Sequence, residues 1–131
     1  MRWLLNLTLV AVFALPTFAS AEDTKKAART RKLLQKKISI DLEDERLDDA
    51  LQEVKDLVRG FTYKLDTRGG VSRNQKVTVM LKNKTVAEVL DKMFKKPGLG
   101  YYIISNTGNA YDGGIWVKQG TERGYPKKKK E

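Results

Sequence analysis

The sequence predicts an α+β domain of order βαββαββ, with two helices packed between or against small β-sheets. Three observations carry this. Ile38 to Asp66 and Val77 to Ser105 superimpose without a gap at an offset of 39 residues. Each copy reads as an alternating apolar run, an amphipathic helix and a second apolar run. A βαβ unit of this size cannot bury its apolar face alone, so the two copies are expected to close around one core.

Glu22 to Lys37 is rich in charge and in helix formers and low in large apolar residues until Leu33 and Leu34. It is expected as a basic arm, mobile or a solvated helix. Ile38, Ile40 and Leu42 alternate with polar residues and predict the first strand. Leu47, Ala50, Leu51 and Val54 then recur at helical spacing, predicting a helix from about Glu45 to Arg59 that Gly60 stops. Its Asp44, Glu45, Asp48 and Asp49 sit where the positive end of the helix dipole favours carboxylates.

Phe61, Tyr63 and Leu65 alternate as the second strand, and Asp66 to Gln75 is a polar loop expected to be the least ordered internal segment. Lys76 to Lys82 repeats the strand pattern through Val77, Val79 and Leu81. Thr85 followed by Glu88 is a capping-box signature that opens the second helix, which ends at Pro97 and Gly98. Leu99 to Ser105 and Ile115 to Lys118 are the last strands, joined through Asn106 to Asn109 and loosened by Gly113 and Gly114.

Arg2, an apolar run from Leu4 to Leu15, Pro16 and the small residues Ala19-Ser20-Ala21 read as a secretory signal cleaved after Ala21. The run is shorter than the ~20 residues needed to span a membrane. A periplasmic or secreted protein is therefore expected, with no transmembrane span after cleavage. The chain has no cysteine, so no disulfide or thiol-linked lipid holds it.

The net charge is +10 over 131 residues, but Ile38 to Pro126 holds 14 basic against 13 acidic residues. The excess lies in the flanks: the arm, with Arg29, Arg31 and Lys32, and a basic tail, Lys127, Lys128, Lys129 and Lys130, taken as disordered over residues 120–131. These residues are the candidate anion contacts. With neither His nor Cys, the usual metal ligands, general bases and activated nucleophiles are missing, so no catalytic, metal or cofactor-binding residues are assigned and no enzyme is expected.

The runs ISIDLEDERLDDALQEV, FTYKLD, KVTVMLKNKTVAEVLDKMF, LGYYII and GGIWVKQ, in this order, resemble the short N-terminal domain shared by bacterial secretins and TonB-dependent signalling transporters. The resemblance covers Ile38 to Gln119. It implies two helices between small sheets and a periplasmic role in docking other proteins, namely inner-membrane secretion components or regulators. No barrel, pore or plug sequence follows Gln119, so docking rather than a channel or transporter is expected. The shared positions are packing positions, and no individual functional residue is transferred.

From the residues themselves, a small sheet recognises a partner through an edge strand. Ile115 to Lys118 and Phe61 to Leu65 are the candidate edges, with Trp116, Tyr102, Tyr63, Ile115 and Lys118 as partner contacts. Tyr101 and Tyr102 are expected to divide, one into the core and one outward. The rival expectation is an envelope-associated polyanion binder acting through its basic termini. An exported chain meets anionic surfaces and proteins more readily than nucleic acid.

Overall fold

The computed structural model describes residues 23–124; the first 21 residues, read from the sequence as a secretory signal, and Lys127 to Lys130 lie outside the described residues. The chain forms α1 (Lys25–Leu33), β1 (Lys37–Arg46), α2 (Leu47–Leu57), β2 (Tyr63–Leu65), β3 (Lys76–Thr85), α3 (Val86–Lys95), β4 (Leu99–Ile103), β5 (Ile115–Gln119) and β6 (Arg123–Gly124). The α+β class and both βαβ units are present, and α1 and β6 are added to the predicted order. Among the described residues no helix is long and apolar enough to cross a membrane.

β1 and β3 form an antiparallel ribbon, and the other strands form a sheet of order β2-β5-β4-β6. The inward residues of the ribbon, Ile38, Ile40, Leu42, Val77 and Val79, share one core with α2, α3 and the inner face of the larger sheet. Alternation along the strands and 3.6-residue spacing along the helices put the apolar sets on facing surfaces. Phe94 meets Tyr101 edge to face at 5.8 Å, joining α3 to β4.

The two copies are related by an approximate two-fold axis through the pair Asp41 and Met80. Lys37 pairs Thr85 just as Arg46 pairs Lys76, and Ile40 pairs Leu81 just as Leu42 pairs Val79. Each strand carries a bulge at the equivalent place, with Asp44 and Asn83 both at φ 53°. Asp and Asn tolerate this left-handed conformation better than other side chains. The single residue opposite each bulge supplies a hydroxyl: Asp44 N donates to Thr78 Oγ1 and Asn83 N to Ser39 Oγ, both at 2.9 Å. The ribbon therefore continues past its apolar alternation, to Arg46 and Thr85, where the sequence had suggested ends near Leu42 and Lys82.

Helix N-termini leave backbone N–H groups without partners inside the helix. Here each copy closes the other's. Leu47 N and Asp48 N of α2 donate to Gln75 O and Arg73 O, at 2.7 and 3.2 Å. Val86 N and Ala87 N of α3 donate to Lys36 O and Leu34 O, both at 2.9 Å. The segment just before β3 caps α2, and the segment just before β1 caps α3. The loop from Asp66 to Gln75 is thereby tied down at its end, and it also buries Val71.

The basic arm departs from expectation. It is helical but docked rather than solvated, because its small residues allow close approach. Ala27 and Thr30 are buried, and Thr30 Oγ1 donates to Gly113 O. Thr24 caps the helix through Ala27 N at 3.0 Å and also donates from Oγ1 to Asp112 Oδ1 at 2.8 Å. At Gly113 (φ 88°) a Cβ would lie 2.6 Å from that of Lys26, so the glycine permits the contact.

Candidate functional site

β5 is the last long strand, yet it inserts between the terminal strands of the two copies, parallel to β2 and antiparallel to β4. This corrects one expectation: Ile115 to Lys118 is an interior strand paired on both sides, not an edge. Ile115 itself has no exposed surface and belongs to the core. β2, shortened to Tyr63–Leu65, is the outermost strand on its side.

The pleat sends Ile115 and Val117 inward and Trp116 and Lys118 outward. On β4 the same rule buries Tyr101 at 2 % exposure and leaves Tyr102 half-buried on the outer face, so the tyrosine pair divides as expected. Burial pushes the Tyr101 hydroxyl above its ordinary value. Cross-strand register then aligns Lys64 of β2, Trp116 of β5 and Tyr102 of β4 in one row, with Lys118 in the next row opposite Gly100. Tyr63 stands in register with the inward-facing Ile115 and is turned away from this row. Its hydroxyl donates to Asp48 Oδ1 at 2.7 Å, and burial followed by the Asp48 carboxylate pushes its pKa upward. Tyr63 is a structural tie between β2 and α2.

The loop between β4 and β5 brings a third ring to the row. Asn109 Oδ1 accepts from Tyr111 N at 2.7 Å, and Asp112 Oδ1 accepts from Asn106 N at 2.9 Å, which fixes the turn. Tyr111, 50 % exposed, lies against Lys64, whose Nζ is 4.5 Å from its ring centre and 5.7 Å from that of Trp116. Lys64 is half-buried, and its ammonium lies over two ring faces.

Tyr111 also borders a hollow of about 340 Å³ between α1 and the loop, lined by Lys26, Arg29, Thr62 and Asp112. Lys26, Arg29, Lys64 and Lys118 have no carboxylate within ion-pair distance among the described residues. Arg31, by contrast, is bound to Asp23 at 2.6 Å, and that bond holds the Asp23 carboxyl below its ordinary value. Lys32 is exposed in the last turn of α1. A separate hollow of about 560 Å³ over α3 includes Asp91, which is occupied by Arg123 at 2.8 Å.

Of the residues singled out from the sequence, the structure brings Trp116, Tyr102 and Lys118 together and leaves Tyr63 and Ile115 out. Lys64 joins them only through the parallel pairing of β2 with β5, a long-range register that local patterning does not encode. Among the described residues no group of three or more acidic side chains is placed to hold a metal ion. A scan of family models gives no match, and no curated protein and no solved structure matches the chain.

Proposed function

We propose that the protein is an exported, non-catalytic module that binds another protein through the outward face of its larger sheet, in the manner of the short N-terminal domain of secretins and TonB-dependent transporters. The observation that carries the reading is the row Lys64, Trp116 and Tyr102. Trp and Tyr gathered on the outer face of a rigid sheet are the residue types enriched at protein-binding surfaces, and Lys64 adds a charge beside them. The order of strands and helices and their packing on two small sheets support the family resemblance. The leader-like first 21 residues support export to the envelope.

The test is affinity capture from an envelope extract with the full chain and with W116A/Y102A as bait, each confirmed folded by circular dichroism, followed by a titration of the captured protein. The proposal expects one protein to bind the parent and to lose at least tenfold in affinity with the variant. Equal binding by both baits overturns it.

The exposed cations of α1 favour a second reading, a polyanion binder in which the fold is a spacer. Heparin retention that disappears when Arg29, Lys32 and Lys127 to Lys130 are replaced by Gln, with no protein captured, would establish it. The full chain is used throughout, because the Leu34 and Lys36 carbonyls that precede Ile38 close α3.

A further inference from the structure

We infer that the segment this face receives is acidic and extended, with carboxylates two residues apart, and that Lys64 is its anchor. The inference rests on the protein-binding reading above and adds the chemistry of the partner. Lys64 is half-buried, is steadied by Tyr111 and Trp116, and has no carboxylate partner among the described residues. A cation already held against two rings loses little further freedom when a carboxylate arrives, which favours that contact over one made by a free surface lysine.

The rings flanking Lys64 also discriminate between anions. Its ammonium already lies over the faces of Tyr111 and Trp116, so these rings are not open platforms for stacking a sugar or a base. What they present outward is the held charge. Lys118 stands one strand over and two residues along from the position opposite Lys64. From strand spacings the two α-carbons are about 8 Å apart, close to the roughly 7 Å between alternate residues of an extended chain. Beyond Tyr111, Lys26 and Arg29 continue the positive surface along the hollow beside α1. Asp112 lies in the same hollow, its Oδ1 accepting from Thr24 and from the Asn106 amide, and is not within ion-pair distance of either cation.

The test is selection of a random 12-residue peptide library on the immobilised full chain. Enriched peptides are then titrated against the parent, K64Q, K118Q and K82Q, the last on the outward side of the other sheet. Heparin fragments and phosphatidylglycerol vesicles are titrated in parallel. The inference expects peptides enriched in Asp or Glu at alternate positions. Their affinity should fall at least tenfold in K64Q, several-fold in K118Q and not at all in K82Q. Peptides without acidic enrichment, or binding unchanged in K64Q, overturn it. So does vesicle or heparin binding that exceeds the peptides' and depends on Lys64, which assigns the face to a membrane or a polysaccharide. If the captured protein loses affinity with W116A/Y102A but not with K64Q, the protein-binding reading stands and the acidic partner falls. If W116A/Y102A has no effect either, both fall.

Discussion

The two copies share a backbone path but not a way of holding their helices. At the start of α3, Thr85 accepts from Glu88 N at 3.1 Å while Glu88 Oε1 accepts from Thr85 N at 2.9 Å, a complete capping box. That backbone bond holds the Glu88 carboxyl below its ordinary value. At the equivalent positions α2 has Arg46 and Asp49, joined by an exposed ion pair at 3.4 Å, and Arg46 makes no side-chain cap. The ends differ too. α3 carries Phe94, packed on Tyr101, where α2 carries the exposed Lys55. β4 is interior and runs for five residues, whereas β2 is a three-residue edge. The second copy is the anchored half. Both helix starts are closed by carbonyls from the opposite segment, but the first copy adds only the Tyr63 tie, and it presents Lys64.

The sharpest way to break this contrast is at positions 55 and 94. F94A should cost about 3–5 kcal/mol and K55A no more than about 0.5 kcal/mol, read by urea denaturation. Similar losses would mean that the copies are equally anchored. At the helix starts, T85A should cost about 1 kcal/mol and R46A markedly less, while R46T/D49E should stabilise the protein by installing the missing box. The bulges test the symmetry itself. S39A and T78A each remove one bond of the same geometry and should cost similar amounts, about 0.5–1.5 kcal/mol.

The smallest effect concerns pH. The Asp23 carboxyl is depressed below its ordinary 3.8, so its contribution is complete above that value and is lost as pH falls through the lower folded value. Hydrogen exchange should show the first turn of α1 opening in acid before α3 does. Tyr63 and Tyr101 are shifted the opposite way, above an ordinary 10.0, so their contribution is intact below pH 10 and fades as pH rises beyond it.

The repeat was legible because Leu47, Ala50, Leu51 and Val54 and their counterparts obey one helical period. The Thr85 box was legible because its side chains act within one turn. Three features were not. The strands run on through Glu43 to Arg46 and through Lys82 to Thr85 by way of bulges, where alternation lapses and hydroxyls across the ribbon substitute for it. α1 docks through Ala27 and Thr30, whose small size hides their burial from any hydropathy count. The placement of β5 between β2 and β4 depends on contacts between distant segments, so Trp116 read as an edge residue when it is the centre of a face.

The pairing about Asp41 and Met80, in which each half contacts the other through equivalent positions, has the form of two-fold association between like subunits. Seen so, the chain is a tandem of two like units joined through the loop that carries Gly69 and Gly70. That junction keeps one unit beside the other while its Arg73 and Gln75 carbonyls close α2, and β5 wedged between them makes the pair unequal.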